Sequence, residues 1–246
     1  MWERQGPDPW RRPVTKYRFL LLAVLLSACT AKTDSATELT VTLDTPLNAT
    51  ISWHDTTPNT AGHAVEFATD PNGEYTTLQF APVEQTAYQH PDLIPDTTFY
   101  YRVRPYSGPT TEAREITLPP GELDDATQAA DHGWMVPTTV PGSTTTESLR
   151  AGGGTPTEFH ATIMHANGIR FTWTDHANDE DGYLLEVKAV NTTTFTPVAV
   201  MDPNINSTGL ITLPTEKTAT YRVRAFYWGK TSNTAHVKSG PDPDAG

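Results

Sequence analysis

The sequence predicts an all-β chain of two seven-stranded Greek-key β-sandwiches in tandem, joined by a flexible linker. Three observations predict it. The chain is low in charge and rich in Thr, Pro, Val and Tyr, residues that fit pleated, half-buried surfaces and the turns between them. Apolar residues alternate with polar ones over short runs. The chain also repeats itself at a fixed offset, the mark of a duplicated unit.

The elements begin with a leader. Residues 1–18 carry Arg4, Arg11, Arg12, Lys16 and Arg18, and residues 19–28 are almost wholly apolar. Ten residues of helix span about 15 Å, half a hydrocarbon core, which suits an export signal better than a membrane span. The Arg11-Arg12 pair lacks the residues expected after a twin-arginine signal, so the general secretory route is favoured. The apolar run ends in Leu26-Ser27-Ala28-Cys29, and Cys29 is the only cysteine. This resembles the lipobox of bacterial lipoproteins. The resemblance implies cleavage before Cys29, acylation of its thiol and new amino group, and attachment to the cell membrane or outer membrane with the rest of the chain outside the cytoplasm. Two or three acyl chains anchor stably where one does not. A single cysteine forms no intrachain disulfide, so each sandwich depends on its core alone.

Charge narrows the function classes. Loss of residues 1–28 removes five of 17 basic and two of 29 acidic residues, leaving 12 against 27, a net charge of −15. Such a surface repels nucleic acid, and no nucleic-acid partner is expected.

An offset of 120 places Trp53 on Trp173, Asp55 on Asp175, Gly62 on Gly182, Glu66 on Glu186 and Tyr75 on Phe195. Tyr101-Arg102-Val103-Arg104 falls on Tyr221-Arg222-Val223-Arg224 without a gap. The predicted organisation is a signal peptide (1–28), anchor and spacer (29–35), first sandwich (36–118), linker (119–155), second sandwich (156–240) and tail (241–246). The linker holds Pro-Pro-Gly and Gly-Gly-Gly runs and no sustained apolar period, so it reads as a soft tether that leaves the two sandwiches independent. Its Trp134-Met135-Val136 island reads as an incidental exposed cluster rather than a docking segment.

Within each unit, Val65 and Phe67 share a face, as do Tyr183, Leu185 and Val187, and as do Phe99, Tyr101 and Val103. The passages 173–187 and 93–104 resemble bacterial fibronectin type III modules, and the resemblance covers most of residues 36–240 apart from the linker. It implies that Trp53 and Trp173 are core residues on the second strand, facing Tyr101, Val103, Tyr221 and Val223 on the sixth. The tyrosine expected at the sandwich corner is replaced by Phe99 and Ala219.

The repeated polar residues have structural readings. Asp55 and Asp175 are expected to bond backbone amides after the second strand, and Gly62 and Gly182 to take a positive φ. Glu66 with Arg102 or Arg104, and Glu186 with Arg222 or Arg224, are expected to pair on the solvent face at small energetic gain. No Gly-x-Ser-x-Gly, His-Glu-x-x-His, Walker or dinucleotide-binding pattern occurs, so no catalytic residue, cofactor or metal is expected. The acidic run Asp179-Glu180-Asp181 reads as a plain loop. The aromatic run Phe226-Tyr227-Trp228, where the first unit has Tyr106-Ser107-Gly108, makes Tyr227 and Trp228 the candidate ligand-binding residues, placed in a loop at the end of the sixth strand. The functional expectation is a non-catalytic, lipid-anchored envelope protein that displays its modules for binding or adhesion to a protein or polysaccharide. The alternatives are a structural spacer lipoprotein and a polysaccharide-binding accessory protein.

Overall fold

The computed structural model describes residues 36–121, 132–213 and 215–243. The leader and Cys29 lie outside the described residues. The fold is all-β. The first unit contributes β1 (Thr37–Thr45), β2 (Asn48–Asp55), β3 (Gly62–Ala68), β4 (Thr76–Pro82), β5 (Ala87–His90), β6 (Thr98–Ser107) and β7 (Arg114–Thr117). The second contributes β8 (Thr157–His165), β9 (Gly168–Thr174), β10 (Gly182–Ala189), β11 (Thr196–Met201), β12 (Ser207–Ile211), β13 (Thr218–Trp228) and β14 (Ala235–Lys238). A 3₁₀ turn, Gly133–Met135, precedes β8.

Each sandwich has a three-stranded layer, β1-β2-β5 or β8-β9-β12. The opposing layers are parts of one larger sheet that runs β11-β10-β13-β6-β3-β4. Period-2 alternation sends one face of every strand inward. Leu39, Ile51, Trp53, Val65, Phe99, Tyr101 and Val103 fill the first core. Phe159, Ile169, Phe171, Trp173, Tyr183, Leu185, Tyr221 and Val223 fill the second. The tryptophans thus lie where the resemblance to fibronectin type III modules placed them, opposite the Tyr-x-Val pairs. The corner positions hold by packing alone, with Phe99 stacked on Tyr101 and Ala219 buried.

The independence of the two units does not survive. Strand β7, from the first unit, pairs with β13, and β14, from the second, pairs with β6. The two sandwiches exchange their last strands. Ile116 and Leu118 therefore pack into the second core, and Ala235 and Val237 into the first. The exchange is reciprocal about a crossing point where Ser107 pairs with Tyr227. On one side, Ser232 donates its amide to the Val103 carbonyl at 2.9 Å and accepts the Val103 amide on its Oγ at 2.9 Å. On the other, Thr111 treats Val223 the same way, at 2.8 and 3.0 Å. Thr111 and Ser232 differ by 121 positions, so one residue has entered the second hinge. Segment 36–118 is consequently not a closed sandwich, because its seventh strand belongs to the other barrel of side chains.

The described part of the linker is also not a soft tether. Thr138 bridges antiparallel to Ser207, its amide reaching the Ser207 carbonyl at 2.9 Å and its carbonyl accepting the Asn206 amide at 3.2 Å. Ser143 Oγ accepts the Asp175 amide at 3.1 Å, and Glu147 bridges to Ala177. Leu149 is buried in the second core. Trp134 lies against Gly209, where an added Cβ would sit 2.6 Å from the indole. The island at Trp134 is thus a docking segment. Scattered single anchors, with backbone bonds between them, hold a segment that has no period of its own.

Candidate functional site at the seam between the repeats

The crossing builds an aromatic cluster. Tyr106, Leu184 and Phe226 are its buried members, with Ala61, Phe80 and Trp228 packed around them. Tyr106 and Phe226 alternate off the strand face that feeds the cores, so they turn toward the partner repeat. Gly62 and Gly182 make room for them. A Cβ on Gly62 would overlap the Tyr106 hydroxyl and the Ala81 carbonyl, and one on Gly182 would sit 3.0 Å from the Phe226 ring. Only Gly182 has a left-handed φ, +152°. Gly62 is required by close approach rather than by backbone conformation. Burial pushes the Tyr106 phenol well above its ordinary range, so it stays a neutral donor.

Beside the cluster stand two forks of charge. Glu66 accepts from Arg102 Nε at 2.5 Å and Arg104 at 3.4 Å. Glu186 accepts from Arg222 and, at 2.7 Å, from Arg224. These pairs lie on the outer face of the sheet as expected, but their carboxylates are buried: Glu66 and Glu186 are 4% and 2% exposed, beneath arginines that stay partly open to solvent. Arg102 lies over the Tyr75 ring at 4.0 Å and Arg222 over Phe195 at 3.9 Å, which explains the aromatic shared at that register. Arg224 also donates to the Gly108 carbonyl at 2.6 Å, across the crossing. A cleft of about 490 Å³ opens here, lined by Asn59, Thr60, Phe195, Arg222 and Arg224.

Tyr227 and Trp228 sit in this seam. The expected loop is instead strand, since β13 runs through Trp228, which pairs with Tyr106. Both rings are half-buried. Trp228 packs on Phe226, with ring centroids 5.0 Å apart, and carries Arg104 over its face at 4.0 Å. Its amide donates to Asp181 at 2.8 Å. Tyr227 packs against the second core and lies 5.0 Å from the Arg150 guanidinium. The two rings therefore point to opposite sides of the sheet, and only part of each faces solvent.

The ends of the sandwiches differ. Asp55 accepts from the Thr57 amide, Thr60 Oγ1 and His63 Nε2, each at 2.9 Å. Burial alone would raise its pKa, but these bonds outweigh it and bring it down to about 2. A cavity of about 230 Å³ lies over this pair, with Trp53, His54 and Thr86 in its walls. Asp175 accepts from the Ala177 amide at 2.9 Å and from the Tyr183 hydroxyl. Both aspartates thus do what was expected of them. In the acidic loop, Asp179 accepts from Ser148 and the Leu149 amide, Glu180 from the Asn204 amide, and Asp181 from Arg150. Among the described residues no group of three or more His, Cys, Asp or Glu side chains is placed to hold a metal ion.

Sequence reasoning missed Thr111, Ser232 and Leu149, and the places of Tyr106 and Arg104 against Phe226 and Trp228. The one available signal was the paired aromatic at 106 and 226, in register with Gly62 and Gly182.

No family model matches the chain, and no curated protein matches it. Solved structures do. A two-domain fibronectin type III segment of chicken tenascin matches over 82% of this chain and 97% of its own, at 16% identity and a TM-score of 0.26. The FN1–FN3 domains of chicken CNTN1 match over 84% of this chain and 67% of theirs, at 16% identity and a TM-score of 0.26. A computationally redesigned β-sandwich protein matches over 28% and 72%, at 24% identity and a TM-score of 0.25. At such scores the assignment of two Greek-key sandwiches rests on the strand order itself.

Proposed function

We propose that this chain is an exported, non-catalytic lipoprotein, held through Cys29, whose two sandwiches form one stiff body that displays a binding or adhesion surface outside the cytoplasm. The observation that carries the reading is the reciprocal exchange of β7 and β14. It replaces a flexible joint with a continuous sheet, which suits a part that must hold a surface at a fixed distance from its anchor. The polar residues shared by the repeats support the non-catalytic part, since Asp55, Asp175, Glu66 and Glu186 all bond to the frame. The ligand class is a protein or polysaccharide, met at the seam by the exposed parts of Tyr227 and Trp228.

A second reading, a spacer lipoprotein without a specific ligand, draws on the half-burial of those same rings. Cells expressing the chain with metabolic acyl labelling test the anchor: label and membrane retention are expected, and both are lost in Cys29→Ala. The purified chain on glycan and protein arrays tests display. A retained ligand whose affinity falls in Tyr227→Ala supports it. No ligand, together with unaltered adhesion of cells lacking the protein, selects the spacer.

A further inference from the structure

Residues 132–140 form a strap along the free edge of β12. Three backbone amides tie it there. The Thr138 amide donates to Ser207, the Asn206 amide to Thr138 at 3.2 Å, and the Val140 amide to Asn206 Oδ1 at 2.6 Å. An open strand edge is a template for pairing with other chains, and the strap closes it. Its apolar anchor is Trp134, which covers Gly209.

Two histidines flank that anchor. The ring centroids of His132 and Trp134 are 6.1 Å apart, those of Trp134 and His165 5.5 Å, and those of the two histidines 6.1 Å. His165 is locked into one neutral form. Its Nδ1 accepts the Asn167 amide at 3.3 Å, so its proton sits on Nε2. That Nε2 is buried without a partner, packed against Gly168, and His132 Nε2 is likewise buried without a partner. A further proton on His165 must go to Nδ1, where it would confront the Asn167 N–H. The imidazolium would then have two N–H groups and no acceptor for either.

The charged neighbours add to this. His132 faces His165 from the strap, and the Lys217 ammonium bonds the Ala166 carbonyl and Asn167 Oδ1 beside it. Arg170 on β9 is bound to Ser207 Oγ at 3.2 Å. Glu216, next to Lys217 in the turn before β13, is the carboxylate on these elements. On β8 itself the other titratable groups are Glu158, held by Thr174 at 2.7 Å, and His160.

We propose that His132 and His165 form a proton-operated latch, which keeps the strap on β12 at neutral pH and releases it when His165 becomes charged. Desolvation first, and His132 second, hold the His165 pKa below its ordinary 6.5. A histidine with a lowered pKa in the docked state favours docking fully above about 6.5 and withdraws that support as pH falls below it.

Hydrogen exchange of the whole chain, corrected for intrinsic rates, tests this at about pH 7.5 and about pH 5. Protection of Thr138, Val140 and Asn206 is expected to drop about tenfold, while amides of β9 and β13 hold. His132→Gln with His165→Asn, which keeps an acceptor for the Asn167 amide, is expected to cut the drop to under about twofold. Trp134→Ala is expected to leave the strap unprotected at both pH values. Unchanged wild-type protection at pH 5, an equal drop in the double variant, or full protection in Trp134→Ala would each overturn the latch.

Discussion

The two repeats share a frame and differ at their ends. In repeat one the loop after β2 closes on Asp55 and His63 and leaves a cavity of about 230 Å³. In repeat two Tyr183 replaces the histidine, Asp175 takes its hydroxyl, and residues 143–149 lie across the loop with Leu149 in the core. The β5 edge of repeat one carries Gln89, where repeat two has Gly209 and the strap with Trp134. The comparison teaches that duplication preserved what pairs across the sheet, while the ends were free to diverge according to the chain that adjoins them. It also shows that equivalence in sequence is not equivalence in partnership, since each last strand serves the other repeat.

The largest effect follows from the exchange. Trp53→Ala and Trp173→Ala are each expected to cost about 3 to 5 kcal/mol, as for an emptied aromatic site. Because β7 and β14 cross over, chemical denaturation of each mutant is expected to keep a single transition at lower denaturant, with exchange protection lost in both repeats. Two separate transitions, with one repeat untouched, would restore independent modules and break the comparison.

Next come the forks. Glu186→Ala leaves Arg224, itself 9% exposed, without its carboxylate, and is expected to cost about 3 kcal/mol. A loss within the range of a surface pair, under about 1 kcal/mol, would mean that burial of the carboxylate adds nothing to the pair. A smaller effect depends on pH at Asp55. Asp55, with its pKa lowered to about 2 from 3.8, supports the fold fully above about 4, and that support fades as pH falls through about 2. The contribution is about 2 kcal/mol at neutral pH. Asp55→Asn is expected to flatten the acid limb of stability between those values in a urea titration series; an unchanged limb would contradict it.

The smallest expected change sharpens the seam. Trp228→Ala removes a half-buried ring from Phe226, Tyr106 and Arg104 and is expected to cost about 1 to 2 kcal/mol, between a surface and a core substitution. Tyr227→Ala, on the other side of the sheet, is expected to cost less. A loss at Trp228 of under about 0.5 kcal/mol would mean that the ring serves recognition alone.

By itself the sequence determined the strands, their inward faces and the duplication. Period-2 alternation and the gapless 120-residue register are local and additive, so shared faces such as Phe99, Tyr101 and Val103 were legible without coordinates, and the resemblance to fibronectin type III modules added Trp53 and Trp173 to the cores. The bonds of Asp55 and Asp175 were legible for the same reason, being made within two residues. What only the tertiary structure decided is which strand completes which sandwich. Arg114–Thr117 and Ala235–Lys238 carry the same alternation, and either sheet edge offers the same row of backbone groups, so pattern cannot choose between them. The pairings of β7 with β13 and β14 with β6 show the choice made, with Tyr106 and Phe226 packed over two glycines at the crossing. That choice also turned Trp228 from a loop residue into part of the seam, since burial depends on what lies opposite a strand and not on the strand's own sequence.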